Sequence, residues 1–167
     1  MSAGSTDKGL LTPENCGVVF IDHQPQMFAA IGKLARADLL KSVQVLASAA
    51  KLFHVPVILT TVRSAAFSGR VIPQLKGMFP GHTAIIRSTM NAWDNGEFVA
   101  AVKRTGRMNF VMAALWAETC LAFPALQMLE DGYGIYAVED ASGSASQRAL
   151  TTVARRIEQP GGMPVTA

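Results

Sequence analysis

Cys16-Gly17-Val18-Val19-Phe20-Ile21-Asp22-His23-Gln24 is the stretch on which the fold turns. An uncharged, apolar run rich in branched side chains stops abruptly at three polar residues. A run of that length reads as a buried strand that ends in polar groups. It lacks the apolar-polar alternation of a half-wet strand, so both of its faces are covered and its sheet is parallel. The loop after it, His23-Gln24-Pro25-Gln26, holds no Gly-x-Gly-x-x-Gly, which argues against a dinucleotide-binding turn. Gly-x-Ser-x-Gly and a phosphate loop are also missing from the chain.

Further strands are expected at Val55 to Val62, Ala84 to Ile86, Asn109 to Leu115 and Ile135 to Val138, with a short sixth at Met163 to Thr166. Between them lie helical patterns. Ala37 to Phe53 repeats Leu39, Leu40, Val43, Leu46, Ala47 and Ala50 at the spacing of one helix face. Asn95 to Arg104 is capped by Asp94 or Asn95 and stopped by Gly106. In Glu118 to Glu130, Pro124 is tolerable only near the first turn, so the helix starts between Thr119 and Phe123. Ser146 to Glu158 is the last helix, and Ser64 to Pro80 reads as an irregular loop. Strand alternating with helix means an α/β fold, whose ligands sit at the carboxyl ends of the strands. A single domain over 1–167 is expected, with 1–12 as a loose arm.

Half of the 167 residues are hydrophobic and only 16% are charged, against about 25% in an average domain. Such a surface suits either an oligomer or a membrane. No run approaches the roughly 20 apolar residues of a spanning helix; the longest, such as Phe110 to Ala117, are strand-sized. A homo-oligomer with no membrane partner is therefore expected. Met1 to Lys8 is polar and has no apolar core, so the chain is expected to be cytoplasmic with free thiols. The net charge is +3. Its densest patch, Lys103-Arg104 with Arg107, lies at a helix end, and no stripe of aromatics and arginines suggests nucleic acid as a partner.

The strand ends carry Asp22, Thr60-Thr61, Arg87, Glu118-Thr119-Cys120 and Asp140. If the strands are neighbours, these side chains meet in one crevice. Cys120 opens a helix, where the positive potential lowers a thiol pKa and free N–H groups can hold an oxyanion. The competing reading is a buried core cysteine, which is the reading for Cys16. Asp22 is either a solvated loop residue or a base for the thiol. Arg87 is either a surface cation or the group that keeps Asp22 charged. His23, His54 and His82 show no ligand spacing, so no metal is expected.

Taken together, several blocks resemble the isochorismatase-like hydrolase superfamily. They are Val18 to Gln24, Pro56-Val57-Ile58-Leu59-Thr60-Thr61, Asn91-Ala92-Trp93-Asp94-Asn95, Ala117 to Leu126 and Asp140-Ala141-Ser142-Gly143. The likeness spans about Leu11 to Arg156. It implies a Rossmann-like three-layer α/β/α fold around a parallel six-stranded sheet, and an Asp–Lys–Cys triad. Asp22 matches the base. Cys120 matches the nucleophile, which forms a thioester-type intermediate with a carbonyl substrate. Arg87 stands where the family usually has lysine; it can hold the aspartate's charge but is a very poor proton donor.

The resemblance also implies a non-proline cis peptide, placed by position between Trp116 and Ala117, that aims the Ala117 and Cys120 N–H groups at the oxyanion. Phe20, Gln24, Asn91, Trp93 and Trp116 are assigned to the wall of a small-molecule pocket. Nicotinamidases of the family hold a metal on Asp and His side chains. The matching segment here, Thr61 to Gln74, has none, so neither metal nor cofactor is expected. The leading expectation is amidase-like cleavage of a C–N bond. The alternatives are a catalytically degenerate oligomeric member and a flavodoxin-like nucleotide module, which the loop after the first strand disfavours.

Overall fold

In the computed structural model, six parallel strands form one sheet in the order β3-β2-β1-β4-β5-β6. The structure describes residues 10–31 and 33–167. They are β1 (Cys16–Ile21), β2 (Val57–Val62), β3 (Ile85–Arg87), β4 (Asn109–Ala114), β5 (Gly134–Val138) and β6 (Met163–Val165). Most of the expected arm over 1–12 lies outside the described residues.

β1 shows why its sequence has no polar alternation. Val18 and Phe20 point into one apolar cluster, where α2 (Lys33–Leu52) and α3 (Pro73–Met78) contribute Leu39, Val43, Ala47 and Leu75. Val19 and Ile21 point into the other, which holds Phe98 and Val102 of α4 (Gly96–Arg104), Ala125 and Met128 of α5 (Ala122–Glu130) and Ile157 of α6 (Gln147–Glu158). Successive strand side chains alternate between faces. A strand with helices on both sides must therefore be apolar at every position, and all six residues of β1 are buried. The result is the expected three-layer α/β/α arrangement.

Two short helices occupy stretches read as loop. Both α1 (Pro25–Ala29) and α3 begin with a proline in the first turn, where its fixed φ suits a helix and its missing N–H costs nothing. The segment before α5 also differs. Ala117–Leu121 forms a single π-helical turn, and α5 begins only at Ala122, so Pro124 falls in its first turn. π-turns concentrate at functional sites. The non-proline cis peptide joins Leu115 and Trp116, one residue earlier than expected.

Candidate active site

The strand order reverses between β1 and β4, and the helices that follow these two strands lie on opposite faces. Crevices in open α/β sheets form at such a switch point. Ile21 is level with Ala114, and the Leu115 N–H donates to Ile21 O at 3.0 Å. The chain leaving β1 at Asp22 thus lies beside the chain leaving β4 towards Cys120. Asp22 itself has φ +58°, a left-handed conformation that short polar side chains tolerate best and that is common at functional sites.

Arg87 ends β3, two strands from β1 and so about 10 Å away at ordinary strand spacing. Only a long side chain spans β2. The Arg87 guanidinium donates through Nη2 to Asp22 Oδ2, and through Nη1 to the carbonyls of Thr89 and Met90, the latter at 3.0 Å. Asp22, Arg87 and Cys120 are 0%, 1% and 0% exposed. The second Asp22 oxygen, Oδ1, is buried without a formed hydrogen bond. The Cys120 thiol sits near enough to this carboxyl that each shifts the other's titration.

The thiol overturns one expectation. Burial, reinforced by the adjacent Asp22 charge, pushes Cys120 up to about 12, against the weaker opposing pull of Thr119 and Arg87. It is a protonated thiol at rest, where the helix-start argument expects a thiolate. Burial also holds the Asp22 carboxyl above the usual carboxylate range in spite of Arg87. The pair is therefore a weak acid beside a strengthened base.

The expected oxyanion donors are already engaged. Ala117 N–H donates to Gly143 O and Cys120 N–H to Trp116 O, both at 2.7 Å. Among the described residues, the N–H of Trp116 has no such acceptor. Gly143 anchors this turn and leaves no room for a side chain: a Cβ there would lie 2.4 Å from Leu115 Cδ2 and 2.5 Å from Ile31 Cδ1. Gly143→Ala is expected to cost about 1–3 kcal/mol by overpacking, read as a lower midpoint in urea melts.

Most of the expected pocket wall proves structural. Phe20 is 1% exposed within the core cluster, because its place in β1 alternates it away from the crevice. Gln24 mimics a strand: Nε2 donates to Val62 O at 3.0 Å and Oε1 accepts the Val62 N–H at 3.1 Å. Asn91 caps the short 3-10 turn Ala92–Asp94 and donates to Asp94 and Gln127. Trp93 donates from Nε1 to Asp131 Oδ2 at 2.8 Å and meets Phe98 and Tyr133 edge-on. Trp116 is half-buried, as are Asn91 and Trp93, and it directly precedes the π-turn that carries Cys120. Asp140 is exposed at the rim, accepting from Ser42 and the Ala167 N–H. Among the described residues no group of three or more His, Cys, Asp or Glu side chains is placed to share a metal ion.

His23 ties the loop after β1 to the loop after β5. Its Nε2 lies 3.0 Å from Ala141 O, two residues from Gly143. Burial pushes its imidazole down to about 4, so the folded protein refuses a proton that the unfolded chain accepts near pH 6.5. Stability is full above about pH 6.5 and falls as pH drops towards 4, by roughly 3 kcal/mol. His23→Gln is expected to flatten that limb in urea melts taken across the range; an unchanged limb would assign the acid sensitivity to another group.

Comparison with known proteins fits this arrangement. The isochorismatase domain model matches residues 16–167, and the chain belongs to that family. It is a hydrolase of the family by its likeness to the probable hydrolase YcaC of Escherichia coli, with 34% identity over 157 residues, 93% of this chain and 76% of the relative. The solved structure of that relative is described as an octameric hydrolase of unknown specificity, with TM-score 0.88. YcaC from Pseudomonas aeruginosa, solved with hexane-2,5-diol and covalent acrylamide, superposes with TM-score 0.90 at 33% identity, covering 97% of this chain and 81% of that one. Nicotinamidase from Bacillus subtilis shares the fold with TM-score 0.77 at 9% identity over 90% of this chain and 99% of that one. No helix of the described residues is long and apolar enough to cross a membrane.

Proposed function

We propose that the chain is a cysteine hydrolase that cleaves a C–N bond of a small amide, with Asp22, Arg87 and Cys120 as its catalytic triad. The observation that carries this reading is the buried Asp22–Arg87 ion pair set against a buried thiol. Asp22 Oδ1 takes the Cys120 proton as sulfur bonds to the substrate carbonyl carbon, and the carbonyl electrons move to oxygen. The Trp116 N–H receives that oxygen. The tetrahedral adduct then collapses, the C–N bond breaks, and the leaving nitrogen takes the proton from Asp22. Water attacks the thioester, Asp22 accepts its proton, and sulfur leaves with that proton as the acid is released. Arg87 donates no proton; it holds Asp22 in place and compensates its charge.

The covalent acrylamide in the Pseudomonas aeruginosa relative supports a chain of this kind that reacts with electrophiles. The test is a panel of small carboxamides assayed for ammonia release, with acid-quenched mass spectrometry of the Cys120 peptide. An acylated Cys120 peptide, and release abolished in Cys120→Ala, are expected. Release that survives in Cys120→Ala would overturn the reading.

We also propose a homo-oligomer. Val45, Leu52 and Phe53 on or just after α2 are 55%, 71% and 57% exposed, apolar area that a second copy would cover, and the Escherichia coli relative is an octamer. Light scattering after size exclusion is expected to give a multiple of the 17.8 kDa chain mass; a monomer at micromolar concentration would contradict it.

A further inference from the structure

Among the groups around the thiol, one is neither charged nor a member of the triad. Thr119 Oγ1 lies 3.4 Å from Cys120 Sγ. Asp22 and Arg87 are fully enclosed, whereas Thr119 is part-exposed. Its N–H closes the π-turn on Trp116 O at 3.2 Å, so the backbone that carries the hydroxyl is fixed. Each group facing the sulfur has a distinct capacity. Asp22, from the end of β1, accepts a proton. Arg87, from the end of β3, is bound to Asp22 and to two carbonyls. Glu118 is turned away, with Oε1 accepting from Ser144 Oγ at 2.6 Å and from the Ala145 N–H at 3.1 Å. The Thr119 hydroxyl is the uncharged group within hydrogen-bond reach of the sulfur, and it can donate or accept there.

Resting on the reaction above, we propose that Thr119 is a positioning residue that holds the sulfur and stabilises its negative charge as the proton leaves for Asp22. The S–H bond has a single proton, which goes to the carboxylate. The threonine O–H then turns its own proton to sulfur, and the hydrogen bond strengthens as charge develops, since bonds to ionised groups are about twice as strong as neutral ones. No proton is transferred from Thr119. The bond adds to the attraction of the Arg87 guanidinium in offsetting the desolvation of a thiolate.

The test compares Thr119→Val, which keeps shape and loses the hydroxyl, with Thr119→Ser, which keeps the hydroxyl and loses a methyl. Iodoacetamide labelling of Cys120 is followed by mass spectrometry from pH 6 to pH 9, with Asp22→Asn as a parallel sample. The carbon of the reagent bonds to sulfur, iodide leaves, and the thiol proton passes to Asp22. Thr119→Val is expected to label about tenfold more slowly across the range, a change of about 1.4 kcal/mol, with Thr119→Ser within about twofold of the wild type. The reverse order, Ser slower than Val, would assign Thr119 a packing role and overturn the proposal. Equal rates in Thr119→Val and wild type, with Asp22→Asn slow, would overturn it alone. Labelling indifferent to Asp22 would sink the triad reading and this proposal with it.

Discussion

Arg87→Met is expected to cost about 3–5 kcal/mol of folding stability at pH 8, and less at pH 5. Methionine replaces much of the apolar stem of arginine, so the loss is electrostatic. Without the guanidinium, the Asp22 carboxylate is buried and unpaired. Burial already raises its pKa while Arg87 opposes the rise; removing Arg87 takes away the largest opposing influence. An acid whose folded pKa lies above its unfolded value, 3.8 here, contributes stability below the unfolded value and loses it as pH rises through the folded one. In the variant that loss extends to higher pH, so the defect grows between pH 5 and pH 8. The acceptors Thr89 O and Met90 O also lose their donor, at every pH. Urea melts of both proteins at the two pH values check this. A defect of equal size at pH 5 and pH 8 would mean that Asp22 is not the group Arg87 neutralises.

Asp22→Asn is expected to slow acrylamide labelling of Cys120 at pH 7.5 by about 100-fold, the lower end of what a positioned general base contributes. Two effects oppose each other. Removing the Asp22 charge relieves one of the causes that raise the thiol, which favours thiolate. Burial, the larger cause, remains, so the thiol stays above its ordinary value of 9.0 and only a few per cent of it, at most, is ionised at pH 7.5. The loss of a base held beside the proton is the greater effect. The variant also leaves Arg87 buried without its partner, so folding should be verified by circular dichroism before rates are compared. Labelling as fast as in the wild type, or faster, would reduce Asp22 to a group that merely suppresses the thiol.

That Asp22, Arg87 and Cys120 come together is legible in the sequence, because each ends an apolar run or opens the helix after one, and parallel strands bring such ends together. What failed depended on neighbours. Phe20, expected in the pocket wall, is sent by strand parity into the core with Val18. Gln24, Asn91 and Trp93 carry groups that bind substrates in other proteins, but here they satisfy the Val62 backbone, a helical turn and Asp131. The sign of the Cys120 shift could not be read locally: a helix start lowers a thiol pKa, and only the tertiary structure encloses it beside a carboxylate. The two missed helices did carry a signal, since Pro25 and Pro73 each mark a first turn.

In the proposed reaction a thiol protonated at rest reacts because Asp22 removes its proton. The most direct test is the rate of Cys120 labelling in the wild type from pH 4 to pH 10, located by mass spectrometry. The proposed reaction requires a rate that rises as Asp22 ionises, at higher pH than an ordinary carboxylate, and then levels off once Asp22 is ionised. A rate that climbs tenfold per pH unit from pH 6 to pH 10, as it would for an isolated thiol of high pKa, would contradict it.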